Sequence, residues 1–174
     1  MIDAGVFTAD DQVELVDGEI VTMTPQKSRH ATAVSLAEIA LRAAFGEAWY
    51  VRTQLPLALD AVSEPEPDIA VVAGSPRDYR DEHPSTAFLV LEVADASLAF
   101  DRTVKAGIYA RAGIADYWVL NLVDAVLEVH RRPERSTEAR SGWRYAVVES
   151  SRAGDRAAPL ARPGHVVAVS DLLP

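Results

Sequence analysis

A chain of 174 residues, 49% hydrophobic and 25% charged, is long enough to bury a core of its own, and residues 1–174 are expected to form a single domain. With no cysteine, disulfides and thiolate metal sites are excluded, so any metal must be held by oxygen or imidazole. The formal net charge of -9 argues against strong nonspecific affinity for nucleic acid, which rests on Lys and Arg neutralising phosphates.

The start of the chain, Met1 to Phe7, has neither a basic region nor a long apolar run. No later stretch approaches the roughly 18 apolar residues of a spanning helix, so a cytoplasmic location away from membranes is expected. Residues 13–23 read as a β-hairpin, with strand-like Val13–Val16 and Glu19–Met23 joined by Asp17-Gly18, a strong signal for a two-residue turn. That turn pairs Val16 with Glu19 and Glu14 with Val21. Glu14 then shares a face with Val16, Val21 and Met23, an apolar company that points it inward. Apolar residues at 34, 37, 41, 44 and 45 predict a helix over 28–45, ended by Gly46.

Strict alternation from Trp49 to Leu59 predicts a half-buried strand, followed by a turn-prone break over 63–67. Asp68 then stands at the mouth of a strand, Asp68–Val72, and 74–85 reads as a polar loop. Residues 87–94 are nearly continuous apolar sequence, the pattern of a strand covered on both faces, and Glu92 is the one charge in it. A helix is expected over 101–112, closed by Gly113, with Asp101, Lys105 and Tyr109 along one stripe. Strands at 117–122 and 125–130, then at 143–149 and 165–169, complete an α+β fold of one mixed sheet with helices packed on it.

The acids invite a chemical reading. An ionised carboxylate taken out of water without a partner costs several kcal/mol, so Glu92 between Leu91 and Val93 implies compensation, by a divalent cation or by a buried arginine. Lys105 stands out because the chain uses Arg fifteen times and Lys only at 27 and 105. A compact ammonium suits the orientation of a water or the stabilisation of a phosphoryl oxygen. Duller roles are available to each: Asp68 as a turn acid, Asp101 and Lys105 as a surface i,i+4 pair, Glu14 as a hairpin-edge acid, His30 as a first-turn polar residue, and Tyr109 and Trp118 as packing. Residues 1–129 carry 9 basic and 21 acidic groups, net -12, whereas 130–156 carry 7 Arg against 4 acids, net +3. The latter segment is the better candidate for a surface that meets phosphate, with an ordinary solvated face as the alternative.

Taken together, Glu14-Leu-Val-Asp-Gly-Glu19, Arg29-His30, Pro67-Asp68, Glu92-Val93, Asp101 with Lys105, and the run from Tyr109 to Trp118 resemble the Uma2 family of endonucleases, within the PD-(D/E)XK, restriction-endonuclease-like superfamily. The resemblance covers about residues 10–132. It implies a nuclease core with a mixed central sheet, Mg²⁺-dependent phosphodiester hydrolysis in DNA with Mn²⁺ able to substitute, and a homodimeric assembly.

Position by position, the resemblance implies Asp68 and Glu92 as metal ligands with the carbonyl of Val93, Lys105 as the catalytic amine, and Glu14 as an assisting acid. His30, Asp101 and Tyr109 are accessory candidates. The superfamily's lysine usually lies two residues after the second acid, where this chain has Ala94; here the family resemblance moves it to the following helix. The chain also carries Asp95-Ala-Ser-Leu98 where a Ser-Pro-Ser-Thr tract is common, and Asn121 where an Asp often follows the Tyr-Trp strand. The expected activity is a metal-dependent DNA endonuclease. The competing expectations are a degenerate nuclease scaffold used for binding or assembly, and a metal-dependent phosphohydrolase of small substrates.

Overall fold

A computed structural model of the chain describes residues 13–22 and 25–174. At its centre is a six-stranded sheet built from β3 (Trp49–Thr53), β4 (Ile69–Ala73), β5 (Leu89–Ala94), β6 (Asp116–Asn121), β7 (Val126–Arg135) and β8 (Trp143–Arg152), ordered as in the sequence. Every neighbouring pair is antiparallel except β5 and β6. A parallel pair cannot be closed by a tight turn, and the crossover is a helix over 98–111. The α+β expectation of a mixed sheet with packed helices is met.

The side-chain period of two divides β5 between two cores. Leu89, Leu91 and Val93 join Ile69, Val71 and Trp118 beneath helix α1 (Ser28–Phe45), which buries Ala33, Ala37, Leu41 and Phe45 against them. Val90 and Ala94 join Ala70, Val72 and Val119 beneath the 98–111 helix, which contributes Ala106, Ile108, Tyr109 and Ala110. Glu92 lies on this second face, between Val90 and Ala94.

The N-terminal hairpin, β1 (Val13–Val16) and β2 (Glu19–Thr22), has the expected register, Val16 opposite Glu19 and Glu14 opposite Val21. Asp17 and Gly18 both have positive φ, 51° and 82°, as a turn matched to the strand twist requires. Met23 of the expected hairpin lies outside the described residues. The hairpin docks on the following loop through a bridge between Leu15 and Glu64 and a bond from the Gly18 N–H to the Val62 carbonyl.

Four expectations change. The strand expected over 165–169 is only Val167–Ala168, paired with Arg156–Ala157 apart from the six-stranded sheet. The alternating run 49–59 is a strand only as far as Thr53, because Gln54 takes a φ of 52° and turns the chain away. Leu57 is nonetheless fully buried, whereas Leu55 is exposed and Arg52, on the polar phase of the run, is buried, so burial follows the alternation only in part. Within 74–85 there is a short 3₁₀ helix, Pro76–Tyr79, capped by reciprocal bonds between Ser75 and Asp78. The helix expected from 101 begins earlier, as α-helical Leu98–Phe100, and runs through a π-turn, Asp101–Lys105, into α-helical Ala106–Arg111. Such π-turns recur where a helix must aim a side chain at a site.

At the far end of the sheet, Asp116 is fully buried and accepts from Trp118 Nε1, Arg131 Nε and the Leu160 N–H, fastening the C-terminal segment. That segment adds the short pair β9 (Arg156–Ala157) and β10 (Val167–Ala168). Asn121 closes the β6–β7 turn by donating to Asp124 and Glu128 while accepting two backbone N–H groups, a double role that an ionised Asp cannot fill.

Candidate active site

Asp68 and Glu92 meet because of strand register. The last ladder pair of β4 and β5 joins Ile69 to Leu91, so Asp68 and Glu92 stand opposite one another one step beyond it, on the same face. Backbone bonds tie the two together: the Asp68 N–H donates to Glu92 Oε2 at 3.3 Å, and the N–H of Val93, next to Glu92, donates to Asp68 Oδ2 at 2.8 Å. The π-turn of the 98–111 helix brings Lys105 down onto the pair. Its Nζ lies 3.0 Å from Glu92 Oε1 and 3.2 Å from Glu14 Oε2, and Glu14 Oε2 also accepts the Glu66 N–H. Three side chains from the hairpin, β5 and the helix thus converge, with Glu92 3% and Lys105 7% exposed.

The partners of each acid are distinct. Asp68 Oδ1 takes His30 Nε2 and the Gln54 side-chain amide, both at 3.1 Å. Glu92 Oε1 takes the Tyr109 hydroxyl at 2.7 Å together with Lys105. One sequence-based pairing is corrected here. Asp101, placed with Lys105 as an i,i+4 pair, makes no ion pair with it among the described residues; Glu92 and Glu14 do that. Tyr109 packs in the core as expected, and its hydroxyl donates to Glu92. Gln54 and Glu66 were missed. The signal for Gln54 was a polar residue interrupting apolar alternation, which reads equally well as a solvent-facing strand position.

Burial and crowding set the protonation states. Glu92 is pushed up to about 8, by burial first; Lys105 opposes that shift, and Asp101, Asp68 and Glu14 add to it. Asp101 rises to about 6, again chiefly through burial. Burial presses Lys105 down, but Glu92, Glu14 and Asp101 outweigh it, so its ammonium is held well above the ordinary lysine range. Burial likewise acts to raise Asp68, yet the His30 bond and charge, the Val93 N–H and Gln54 keep it below the usual carboxylate range. The hydrogen bond to Asp68 raises His30 in return.

The His30–Asp68 pair has a pH window. Asp68, with a lowered pKa, stabilises the fold above its ordinary value near 3.8 and loses that contribution as pH falls through the folded value. His30, with a raised pKa, contributes fully below 6.5 and less as pH rises through its folded value. In chelator, His30→Gln should flatten the alkaline side of the wild-type melting-temperature profile. Parallel profiles for the two proteins above pH 6.5 would show that the imidazole is not charged in this pair.

These residues line a cleft of about 180 Å³ that also includes Gln26, Ser97 and Phe100. Four buried carboxyl groups, Glu14, Asp68, Glu92 and Asp101, face one ammonium and one imidazole, so even with Glu92 protonated the acids are in excess and leave room for a cation. Among the described residues no group of three or more His, Asp or Glu side chains is placed to hold a metal ion. Two carboxylates with open lone pairs, on Asp68 Oδ2 and Glu92 Oε2, instead suit Mg²⁺, which keeps several waters and takes one or two protein carboxylates. The donor set fits that ion.

A family model described as Uma2, "Putative restriction endonuclease", matches residues 3–164. No curated protein matches the chain. Among solved structures, one described as a "putative nuclease belonging to DUF820" from Anabaena variabilis superposes with a TM-score of 0.71 at 12% identity, over 98% of this chain and 94% of that one. At that identity the likeness is one of fold, and it extends over the hairpin, the central sheet and the C-terminal strands alike.

Proposed function

Because the chain belongs to the Uma2 family of putative restriction endonucleases, we propose that it hydrolyses phosphodiester bonds in DNA with the help of a divalent metal. The observation that carries the reading is the meeting of Lys105 with Glu92, beside Asp68, in a cleft whose buried acids outnumber its cations. Asp68 Oδ2, Glu92 Oε2 and the Val93 carbonyl would hold Mg²⁺, which when bound polarises a phosphoryl oxygen and makes its own water more acidic.

The chain's own residues do the rest. Lys105 stays protonated, so it acts as a fixed positive charge that meets the charge developing on phosphorus, and it is no general base. Glu14, 3.2 Å from the Lys105 ammonium, would keep it in place with Glu92 engaged by a metal. Tyr109 fixes one oxygen of Glu92 and His30 with Gln54 fixes one of Asp68, while the second oxygen of each accepts a single backbone N–H and keeps a lone pair for a cation. Such bonds on the far side of a ligand orient it and tune its basicity.

A supercoiled-plasmid assay with Mg²⁺ or Mn²⁺ tests the proposal. Nicked circles should appear only with metal and vanish with chelator. Release of phosphate from nucleotides with the plasmid left intact would instead identify a small-molecule phosphohydrolase.

A further inference from the structure

The 98–111 helix has a second flank. Away from Lys105, where it faces β7, β8 and the 136–142 loop, lies a cavity of about 560 Å³, three times the size of the acidic cleft and within the range of small-ligand pockets. Gly107 lets the loop close on the helix, since a Cβ there would collide with the Ser141 hydroxyl. Val104 and Ala106 give the cavity an apolar wall.

His130 lines this cavity and is 5% exposed. Its Nε2 is buried and has no hydrogen-bond partner among the described residues, the Glu128 carboxylate standing 3.7 Å away, beyond bonding distance. A buried polar atom left unpaired has lost its water without compensation, so a ligand group that reaches it gains. The imidazole lies tilted against Tyr117 and edge-on to Tyr145, and burial lowers its pKa against the pull of Glu128. Trp143 adds an indole whose ring carries the Arg135 guanidinium at 5.0 Å.

The rim is rich in arginine. Arg102, Arg140 and Arg144 border the cavity together with Asp17 and Glu138; the arginine side chains are 41%, 68% and 53% exposed, and Arg102 is held by Glu128. Arg140 pairs with Glu19, and Arg144 with Glu134 and Glu138, at exposed positions where ion pairs contribute little and exchange readily. An arriving phosphate takes such arginines by paired, charge-assisted hydrogen bonds. Two of the three belong to the 130–156 segment, which has a positive balance within this acidic chain.

From the aromatic walls, the unpaired His130 and the arginine rim, we infer that this cavity binds a nucleotide unit, its base between Trp143 and Tyr145 and against His130, its phosphate at Arg140 and Arg144. The unit is a free mononucleotide or an unstacked nucleotide of a single strand, since base stacking on aromatic rings serves both. Nothing in this inference depends on phosphodiester cleavage.

Isothermal titration in chelator, without metal, isolates the cavity from the acidic cleft. Mononucleotides should bind the intact protein, and Asp68→Asn should bind them equally. Val148→Phe, which fills the rim from an exposed strand position, and His130→Leu should each weaken binding at least tenfold. Arg140→Gln with Arg144→Gln should leave nucleotides binding no better than nucleosides. A short single-stranded oligonucleotide that binds more tightly than the mononucleotide assigns the cavity to a strand, and the reverse assigns it to free nucleotides. No binding at millimolar nucleotide, or equal binding by the Val148→Phe and His130→Leu proteins, overturns the inference whether or not the plasmid is cut.

Discussion

Replacing Lys105 with alanine should slow plasmid nicking by about 10²- to 10⁴-fold, the range for losing a positioned charge or proton-transfer group. The same change strips Glu92 and Glu14 of their common cation. Breaking a buried pair by removing one partner costs about 3–5 kcal/mol, although a Glu92 already pushed up to about 8 relieves part of this by taking a proton. Rates must therefore be compared well below both melting temperatures. Mg²⁺ affinity separates the roles. If Lys105 acts on the phosphate, its removal leaves the carboxylates freer for a cation, and Mg²⁺ binds as well as before or more tightly. If metal binding disappears with the activity, Lys105 serves only to hold the cleft together.

Asp68→Asn should have the opposite signature. It keeps the side chain's shape and discards its charge, and Mg²⁺ binding measured by calorimetry should weaken at least about 100-fold, since even groups behind a metal ligand cost about 10- to 100-fold when lost. Asp68 accepts from His30, Gln54 and Val93 through both of its oxygens. An amide has a single accepting oxygen, so at least one of these donors is left facing an NH₂ group, at a cost of about 1–3 kcal/mol in stability. His30 should then lose its raised pKa, and its ring resonances in NMR should titrate nearer 6.5. Unchanged Mg²⁺ affinity would remove Asp68 as a ligand.

The two variants bear on different halves of one arrangement, and the sequence made some of it legible. Glu92 in an apolar strand is a local contradiction that demands a partner, and the rarity of lysine drew the eye to residue 105. The inward turn of Glu14 followed from the Asp17-Gly18 hairpin, because a two-residue turn fixes the register of every pair above it. Helix α1 was legible for a similar reason: its apolar residues fall on one face, and Gly46 adopts the positive φ of 76° that ends it.

What was not legible depends on contacts between distant segments. Gln54 reaches Asp68 only because the chain turns at a positive φ, and no alternation of polar and apolar residues announces that turn. Tyr109 reads as a core aromatic and is one; that its hydroxyl finds Glu92 depends on how far the helix is wound through its π-turn, a detail of packing. Asp101 at four residues from Lys105 suggested a pair along a regular helix. The π-turn and the stronger claim of two facing acids gave Lys105 to Glu92 and Glu14 instead. The cavity beside His130 joins β7, β8 and a loop to a helix some thirty residues earlier in the chain, and only the basic balance of 130–156 hinted at it.

The most direct test of the central claim, that the acidic cleft holds a divalent cation, is a crystal soaked in Mn²⁺ and measured at its absorption edge. The expected result is an anomalous peak between Asp68 and Glu92, with carboxylate oxygens about 2.0–2.3 Å from the ion and Lys105 still paired with Glu14. A cleft without such a peak at saturating Mn²⁺, with Lys105 bridging Glu92 and Glu14 as before, would contradict it.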